Sequence, residues 1–248
     1  MNYANYCKYY KEKTLMIKER ERKDDAEQMI KAVVFDMDGV IFDSEALVIR
    51  MWERVAKEHG VEGVVEVCRQ CFGTNAEATK RIFLDHYGED FPYDEYKAEM
   101  SALFHQEAAG GKLPQKPGVR ELLEYLKKNG IAVGLASSTR EAVVRKELEE
   151  GGLLPYFDVL VCGDMVSRSK PFPDIYLEAC VRLGFAPGDC CAIEDSYNGI
   201  RAAKAAGMHP IMVPDLAEPT EEMKEKAECI LPSLLEVEKY FEKLKKRG

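Results

Sequence analysis

A short apolar strand followed at once by two aspartates and a glycine constrains this chain more than any other stretch. Residues Ala32–Phe35 have the length and β-branched content of a strand buried on both faces. Asp36, Asp38 and Gly39 follow it directly. Open α/β sheets bind ligands at the carboxyl ends of their strands, and close carboxylates repel unless a cation separates them. The segment therefore indicates a site for a hard divalent ion such as Mg²⁺, although an isolated Asp-x-Asp-Gly also fits a solvated turn.

Length and charge narrow the class of protein. A chain of 248 residues is long enough for one large core or for a core with an insert. The net charge of −9 argues against a nucleic-acid partner, which would favour a basic patch. No apolar run approaches the roughly 20 residues that span a membrane, and the amino terminus lacks the apolar region of a secretory signal. We therefore expect a cytoplasmic protein, monomeric or weakly dimeric, without a membrane partner.

The eight cysteines fit a reducing compartment with free thiols better than a disulfide framework. Cys68-x-x-Cys71 is the one pair with zinc-ligand spacing. It has no second pair and no neighbouring histidine pair, so we do not expect a zinc site there.

The hydrophobic pattern divides the chain into three parts. Residues 1–29 form a polar extension of alternating charge, to which no chemistry is assigned. Residues 44–113 have helical spacing throughout, with Ser44 as the expected N-cap of the first of four helices. An insert of this kind, joined to the core near residues 42–44 and 113–118, predicts a helical cap that works as a hinged lid.

Residues 30–43 and 114–248 make up the predicted core. Strand and helix patterns alternate after Gly118, which predicts an α/β fold with a Rossmann-like, doubly wound parallel sheet. The further strands are expected at Ile131–Ala136, Phe157–Cys162, Cys190–Ile193 and His209–Val213.

Polar residues follow two of these predicted strands, and a lysine lies in a loop between two of them. Ser137 and Ser138 come at a strand end before a helix, where hydroxyls and backbone N–H groups suit phosphate oxygens or cap the helix. Lys170 lies between residues that include two prolines, which would fix the position of a side chain that is usually exposed. Glu194 and Asp195 follow another apolar strand, where two acids suit either a metal or a helix cap.

Taken in order, these segments resemble the four motifs of the haloacid dehalogenase (HAD) superfamily. Residues 36–45, Asp-Met-Asp-Gly-Val-Ile-Phe-Asp-Ser-Glu, are similar to motif I in its phosphatase and β-phosphoglucomutase branch. Ser137 matches motif II, and Lys170-Pro171-Phe172-Pro173 matches the Lys-Pro-x-Pro of motif III, with Ser169 where the family commonly has glycine. Glu194-Asp195 matches motif IV. The resemblance covers roughly residues 30–215 and weakens in the cap.

The resemblance implies a phosphoryl-transfer mechanism. Asp36 would be the nucleophile that forms an aspartyl-phosphate, and Asp38 would be the general acid and base. Mg²⁺ would be held by Asp36, the backbone carbonyl of Asp38 and Asp195, with Glu194 as an indirect ligand. Ser137, Ser138 and Lys170 would bind the phosphoryl oxygens. The expected substrate is a small phosphomonoester, for which a sugar phosphate is one candidate.

Three functions remain open. A phosphatase is favoured over a β-phosphoglucomutase-type mutase, because Val48 and Ala76 stand where the resemblance places the mutase histidine and phosphate-clamping arginine. Lys80 and Arg81 could supply a displaced clamp or simply be solvated helix charges. The cap residues Gly73, Thr74 and Asn75 are expected to face the substrate. A non-catalytic binding protein on the same scaffold is disfavoured because no catalytic carboxylate is missing.

Overall fold

A computed structural model of the chain describes residues 30–71 and 76–245. The predicted polar extension and the predicted cap residues Gly73, Thr74 and Asn75 lie outside these ranges. No helix within the described ranges is long and apolar enough to cross a lipid bilayer.

The core is a six-stranded, fully parallel sheet, which confirms the predicted α/β class. The strands are β1 (Ala32–Phe35), β2 (Ala132–Ser137), β3 (Val159–Cys162), β4 (Cys190–Glu194), β5 (His209–Met212) and β6 (Cys229–Ile230). Their spatial order is β3-β2-β1-β4-β5-β6, so β2 and β3 lie on one side of β1 and the later strands lie on the other. In such sheets the ligand site lies beyond the carboxyl ends of the strands at this switch point.

The register of the central strands brings their carboxyl ends together. Phe35 of β1 lies opposite Leu135 of β2 on one side and Ile193 of β4 on the other. The residues that follow Phe35 and Ile193 therefore emerge beside one another at one edge of the sheet. All four residues of β1 are completely buried, which holds this edge rigidly in place.

Among the described residues, six α-helices belong to the core: α5 (Val119–Lys128), α6 (Glu141–Glu150), α7 (Asp174–Leu183), α8 (Tyr197–Ala206), α9 (Glu221–Lys226) and α10 (Leu234–Lys245). The alternation of apolar residues predicts all of them except the short, highly charged α9. That helix is fixed by a single buried side chain, Met223, and by the Thr220 side chain, which accepts a hydrogen bond from the Met223 backbone N–H.

Four helices form the cap: α1 (Ser44–His59), α2 (Val64–Gln70), α3 (Ala76–Tyr87) and α4 (Tyr93–Ala108). Aromatic rings join them, since Trp52 of α1 packs on Phe83 of α3 and on Tyr93 of α4 at centroid distances of 4.6 and 6.0 Å. These three side chains are almost fully buried and belong to the same hydrophobic core as Phe35 and Leu135 of the sheet.

The two connections between cap and core run side by side. The Asp43 backbone N–H donates to the Pro114 carbonyl, and the Lys116 N–H donates to the Ile41 carbonyl, each at 2.8 Å. The Lys116 ammonium also donates to Asp215 Oδ1 at 2.5 Å, which fastens the exit connection to the loop after β5. The cap therefore leaves and re-enters the core at a single hydrogen-bonded point.

The predicted capping role of Ser44 is wrong. Asp43 occupies the N-cap position of α1 and makes no side-chain capping bond, while Ser44 is the first helical residue. The Ser44 hydroxyl instead donates to Asp38 Oδ1 at 2.7 Å. A charged carboxylate is a stronger acceptor for the hydroxyl than the neutral backbone groups of the helix end offer.

The half-buried Glu147 on α6 gives a test of this packing through pH. Burial, together with the charges of Asp38 and Glu150, raises the pKa of Glu147 from 4.5 to about 7. A raised acid pKa in the folded state means that stability falls as the pH rises between these two values. We expect Glu147→Gln to gain about 1 kcal/mol in unfolding free energy relative to wild type between pH 5 and pH 8, after allowing for solvent screening.

Urea denaturation at the two pH values measures this gain. Glu149→Gln, on the exposed side of the same helix, is the control and should show the same difference from wild type at both. If Glu147→Gln differed from wild type by the same amount at both pH values, the raised pKa of Glu147 would be contradicted.

Candidate active site

Three carboxylates meet where β1 and β4 end. One oxygen from each of Asp36, Glu194 and Asp195 lies within 4.8 Å of the others, and all three residues are buried. Asp36 follows β1, Glu194 is the last residue of β4, and Asp195 follows it. The predicted carboxylates of motifs I and IV are thus brought together by the parallel pairing of their strands.

The Lys170 ammonium lies inside this acidic group. It donates to Asp36 Oδ1 and to Glu194 Oε1 at 2.5 Å each, and to the Ala136 carbonyl at 3.0 Å. All three N–H donors of the lysine are therefore used. Burial opposes its charge, but Asp36 and Glu194 outweigh this effect and raise the pKa of Lys170 above its ordinary value. The lysine stays a cation in contact with the predicted nucleophile.

The loop that carries Lys170 is braced on its far side. Arg168 makes a two-pronged ion pair with Asp174, with N–O distances of 2.9 and 2.6 Å, and the Asp174 side chain is completely buried. The Lys170–Pro171 peptide bond is cis. A bidentate guanidinium–carboxylate pair fixes both position and orientation, so it limits where the lysine backbone can lie.

Glu194 is saturated by donors. Its Oε1 accepts from Lys170 and from the Tyr176 hydroxyl at 2.6 Å, and its Oε2 accepts from the Ser196 hydroxyl at 3.0 Å. A Cβ at Gly199 would clash with this carboxylate, so glycine is required there. The geometry favours the predicted indirect role for Glu194, because its oxygens already bind and orient Lys170. Ser196 caps α8, so Glu194 and Asp195 are not its capping acids.

The Asp38 carboxylate is not one of the three clustered acids. Its Oδ1 accepts from Ser44 at 2.7 Å, and its Oδ2 accepts from the Thr139 hydroxyl at 3.1 Å. One donor comes from the first residue of the cap and the other from the loop after β2. Asp38 is therefore held beside Asp36 but outside the metal-type cluster, as suits a general acid.

The two predicted phosphate-binding serines differ in environment. Ser137 ends β2 and is fully buried, and its hydroxyl accepts a hydrogen bond from the Thr139 backbone N–H at 3.1 Å. Ser138 is exposed at the start of the following loop. Their role in binding phosphate stays a prediction. Ser137 directly follows Ala136, whose carbonyl accepts a hydrogen bond from Lys170.

Burial raises the pKa values of two acids of the site, Asp36 and Asp195. Burial, with Glu194 and Asp38 as further causes, raises the pKa of Asp36 to about 8 even though Lys170 opposes the shift. Burial and the neighbouring carboxylates also raise the pKa of Asp195 well above its ordinary value. A cluster that resists losing its protons in this way is stabilised by a cation.

The donor set fits a hard divalent metal ion. Asp36 and Asp195 offer carboxylate oxygens, which Mg²⁺ prefers, and no cysteine or histidine belongs to their cluster in the described part of the chain. A Cβ at Gly39 would clash with the Asp195 carboxylate, so the backbone of the first motif approaches that side chain closely. The magnesium predicted from the sequence is compatible with these residues.

A second group of acids was not predicted. Glu45, Asp195 and Asp215 each place a carboxylate oxygen within 4.8 Å of the others. Lys116 neutralises Asp215 at Oδ1, while Oδ2 of that side chain is buried without a hydrogen-bond partner. Burial and the charge of Asp215 raise the pKa of Glu45 to about 7. The first turn of the cap thus adds a further acidic side chain to the site.

A cavity of about 270 Å³ extends from Asp38 into the cap. Ser44, Glu45 and Val48 of α1 line it together with residues of α2, α3 and α4. Because Asp38 forms one end of the cavity, a leaving group protonated by Asp38 would occupy it.

The proposed displaced clamp does not face the cavity. Lys80 pairs with Asp94 at 2.5 Å, and Arg81 pairs with Asp85 at 2.6 Å and with Glu89 at 2.8 Å. All of these are surface pairs, which supports the alternative of solvated helix charges. Sequence reasoning also missed Tyr176 and Thr139, whose hydroxyls bind Glu194 and Asp38 from elements far along the chain.

Comparison with known proteins gives a consistent family. The model of the haloacid dehalogenase-like hydrolase family matches residues 33–213. A phosphorylated carbohydrates phosphatase of Thermotoga maritima is 35% identical over 185 residues, covering 73% of this chain and 84% of that protein. A β-phosphoglucomutase of Bacillus subtilis is 33% identical over 192 residues, covering 74% of this chain and 83% of that protein.

The fold is also found among solved structures. The crystal structure of CbbY from Rhodobacter sphaeroides in complex with phosphate superposes with a TM-score of 0.68 at 29% identity. The match covers 84% of this chain and 96% of the CbbY chain.

We expect Tyr176→Phe to lower the unfolding free energy by about 1.5 kcal/mol, because the buried Glu194 carboxylate loses a donor. Denaturant titration measures the change. Tyr156→Phe is a matched control, since it removes a hydroxyl that binds the exposed Glu124 and should change stability by less than about 0.5 kcal/mol. Equal effects in the two variants would show that the buried hydrogen bond contributes no more stability than the exposed one.

We also expect Mg²⁺ to stabilise the clustered acids, which should raise the free energy of unfolding by about 2.7 kcal/mol at a hundredfold excess over Kd and raise the melting temperature with it. Asp195→Asn should abolish the shift, whereas the same substitution at the exposed Asp90 of the cap should preserve it. Differential scanning calorimetry with Mg²⁺ and with EDTA decides the matter, and a shift retained by Asp195→Asn would remove Asp195 from the metal site.

Proposed function

Because the chain belongs to the haloacid dehalogenase-like hydrolase family, as one of its phosphoric monoester hydrolases, we propose that it is a Mg²⁺-dependent phosphatase acting through an aspartyl-phosphate. The observation that supports this most strongly is the contact of Asp36 with Lys170, next to Asp195. Asp38 lies two residues along the chain and is held by Ser44. The arrangement supplies a nucleophile, a fixed cation and an acid.

In the first step an oxygen of Asp36 attacks phosphorus and the bond to the substrate alcohol breaks. Lys170 holds Oδ1, which leaves Oδ2 as the attacking atom. Asp38 gives its proton to the departing alcohol oxygen. The two hydroxyls that bind Asp38 keep its carboxyl at the leaving-group side.

In the second step water attacks the phosphorus of the aspartyl-phosphate. The Asp38 carboxylate, now deprotonated, takes a proton from that water, and the bond between phosphorus and Asp36 breaks. Inorganic phosphate leaves, and Asp36 and Asp38 return to their starting states. The same carboxyl therefore acts as acid and then as base.

Charge on the transferring group is balanced by several residues. Lys170 lies beside the nucleophile, and Ser137 and the backbone that follows it are proposed to bind the phosphoryl oxygens. Asp36, Asp195 and the Asp38 carbonyl would hold Mg²⁺, with Glu194 acting indirectly. When bound, the ion reduces the repulsion between the anionic nucleophile and the anionic substrate.

The substrate class is a small phosphomonoester. The Thermotoga relative is named for phosphorylated carbohydrates, so a sugar phosphate is one candidate for this chain. A cytoplasmic location and a monomeric or weakly dimeric state stay predictions.

A sugar-phosphate mutase is the second candidate, because a β-phosphoglucomutase is among the relatives. Val48 lines the cavity beside Asp38, so the position at which the resemblance places the mutase histidine carries no proton donor. No lysine or arginine lines the cavity within the described residues. Both observations favour hydrolysis. The presence of Asp36, Asp38 and Asp195 likewise disfavours a non-catalytic binding protein.

We expect Mg²⁺-dependent phosphate release from at least one member of a panel of sugar, nucleotide and small-acid phosphates, and acetyl phosphate. Asp36→Asn should lower kcat at least about 10³-fold, since it removes the nucleophile. The panel is read by a phosphate assay with Mg²⁺ or EDTA, and Asp90→Asn is the control. Isomerisation of β-glucose 1-phosphate without net release of phosphate would support the mutase. No activity on any compound would support the non-catalytic binding protein.

A further inference from the structure

The cavity beside Asp38 has two chemically different ends. At the core end lie Asp38, Ser44 and Glu45, and the Ser44 hydroxyl is already donated to Asp38. The rest of the wall inside the cap is mainly apolar, formed by Val48, Ile49, Trp52, Phe83 and Phe104. Aromatic rings from three different helices therefore face the space that a leaving group would fill.

This wall is poorly suited to a polyol. A buried hydroxyl that loses water without gaining a partner costs roughly 1–3 kcal/mol. Beyond the acid and its serine, the described lining offers only Glu45 and Thr79 as oxygen-bearing side chains. The described lining residues cannot pair the four or five hydroxyls of a sugar or hexitol, whereas an apolar ring would gain from the aromatic faces.

The cavity is also unsuited to an anionic leaving group. Glu45 lies within 4.8 Å of both Asp195 and Asp215, and no cationic side chain lines the described part of the wall. A second phosphate or a carboxylate would therefore lie beside the Glu45 carboxyl and find no lysine or arginine to pair with among the described lining residues. An uncharged or basic ring, by contrast, could donate a hydrogen bond to Glu45.

Size limits the ring system. A cavity of about 270 Å³ is at the lower edge of the roughly 300–1,000 Å³ found for drug-sized ligands. It accommodates one ring with short substituents better than a nucleotide.

We propose that the preferred substrate is the phosphomonoester of a hydroxymethyl-bearing single aromatic or heteroaromatic ring, with no second anionic group. This rests on the proposed phosphatase function and refines it. The ring packs among Trp52, Phe83 and Phe104, its hydroxymethyl oxygen lies at Asp38, and Glu45 accepts from a ring N–H or hydroxyl.

The test compares compounds whose leaving alcohols have similar acidity. Benzyl phosphate and 3-pyridylmethyl phosphate represent the proposed class, and sorbitol 6-phosphate and glucose 6-phosphate represent the polyols. Acetyl phosphate, whose leaving group is too small to use the wall, reports on the core chemistry alone. We expect kcat/KM for the ring compounds to exceed that for the polyols at least tenfold.

A variant tests whether the wall causes this preference. Val48→Asn places an amide in the cavity and should reduce the ratio of ring to polyol kcat/KM about tenfold. Val65→Asn makes the same change on α2 away from the cavity and should leave the ratio unaltered.

Binding provides a second readout that does not depend on turnover. Trp52 is the single tryptophan of the sequence and lies in the cavity wall, so its fluorescence reports occupancy. In the Asp36→Asn variant, benzyl phosphate should change this fluorescence at a concentration at least tenfold lower than sorbitol 6-phosphate.

The outcomes separate the two proposals. Mg²⁺-dependent hydrolysis of acetyl phosphate with an equal or greater preference for the polyols, or with no hydrolysis of the ring compounds, overturns the substrate class and leaves the phosphatase intact. No hydrolysis of any compound, acetyl phosphate included, overturns the phosphatase, and the substrate class falls with it.

Discussion

The contact between the Lys170 ammonium and the carboxylates of Asp36 and Glu194 is the interaction on which the rest of the site depends. It places one positive charge among buried acids, and this charge opposes the rise in the pKa of Asp36 that burial causes. Removing one partner of a buried ion pair is costly, because an uncompensated charge is left behind. The loop that carries the lysine is accordingly braced by the ion pair of Arg168 with the buried Asp174, and Glu194 is held by Tyr176 and Ser196. Much of the polar structure around the sheet edge therefore serves to keep one cation in place.

The parallel sheet explains why these groups can meet at all. Asp36, Ser137 and Glu194 come from three strands that are neighbours in space but widely separated along the chain. Each strand ends at the same edge, so the last residue of a strand, or the one directly after it, is enough to reach the site. The cap contributes from the opposite side through Ser44, which binds the acid, and through the largely apolar cavity wall. The core thus carries the residues proposed to act on the phosphoryl group, and the cap carries those proposed to contact the alcohol.

The sequence predicts the parts of this structure that depend on local pattern. The strand before Asp36, the alternation after Gly118 and the helical cap all follow from the spacing of apolar residues, and they agree with the observed fold. Contacts between distant side chains were not predictable in this way. Nothing near Tyr176 or Thr139 in the chain indicates that their hydroxyls bind Glu194 and Asp38. Ser44 has the composition and position of a helix cap, and only the proximity of a charged acceptor from another element directs its hydroxyl elsewhere. The short helix α9 lacks apolar periodicity and depends on one buried methionine.

The entry and exit of the cap are joined by two backbone hydrogen bonds between residues 41–43 and 114–116. From the viewpoint of the core, the whole insert therefore occupies a gap only a few ångströms wide. The entropy of closing a loop grows slowly with its length, so the core would tolerate inserts of very different size at this point. Such a junction lets an insert be lengthened, shortened or exchanged during evolution while the nucleophile, the lysine and the metal-type cluster stay where they are. The catalytic core and the part that selects the alcohol can in this way diverge at separate rates.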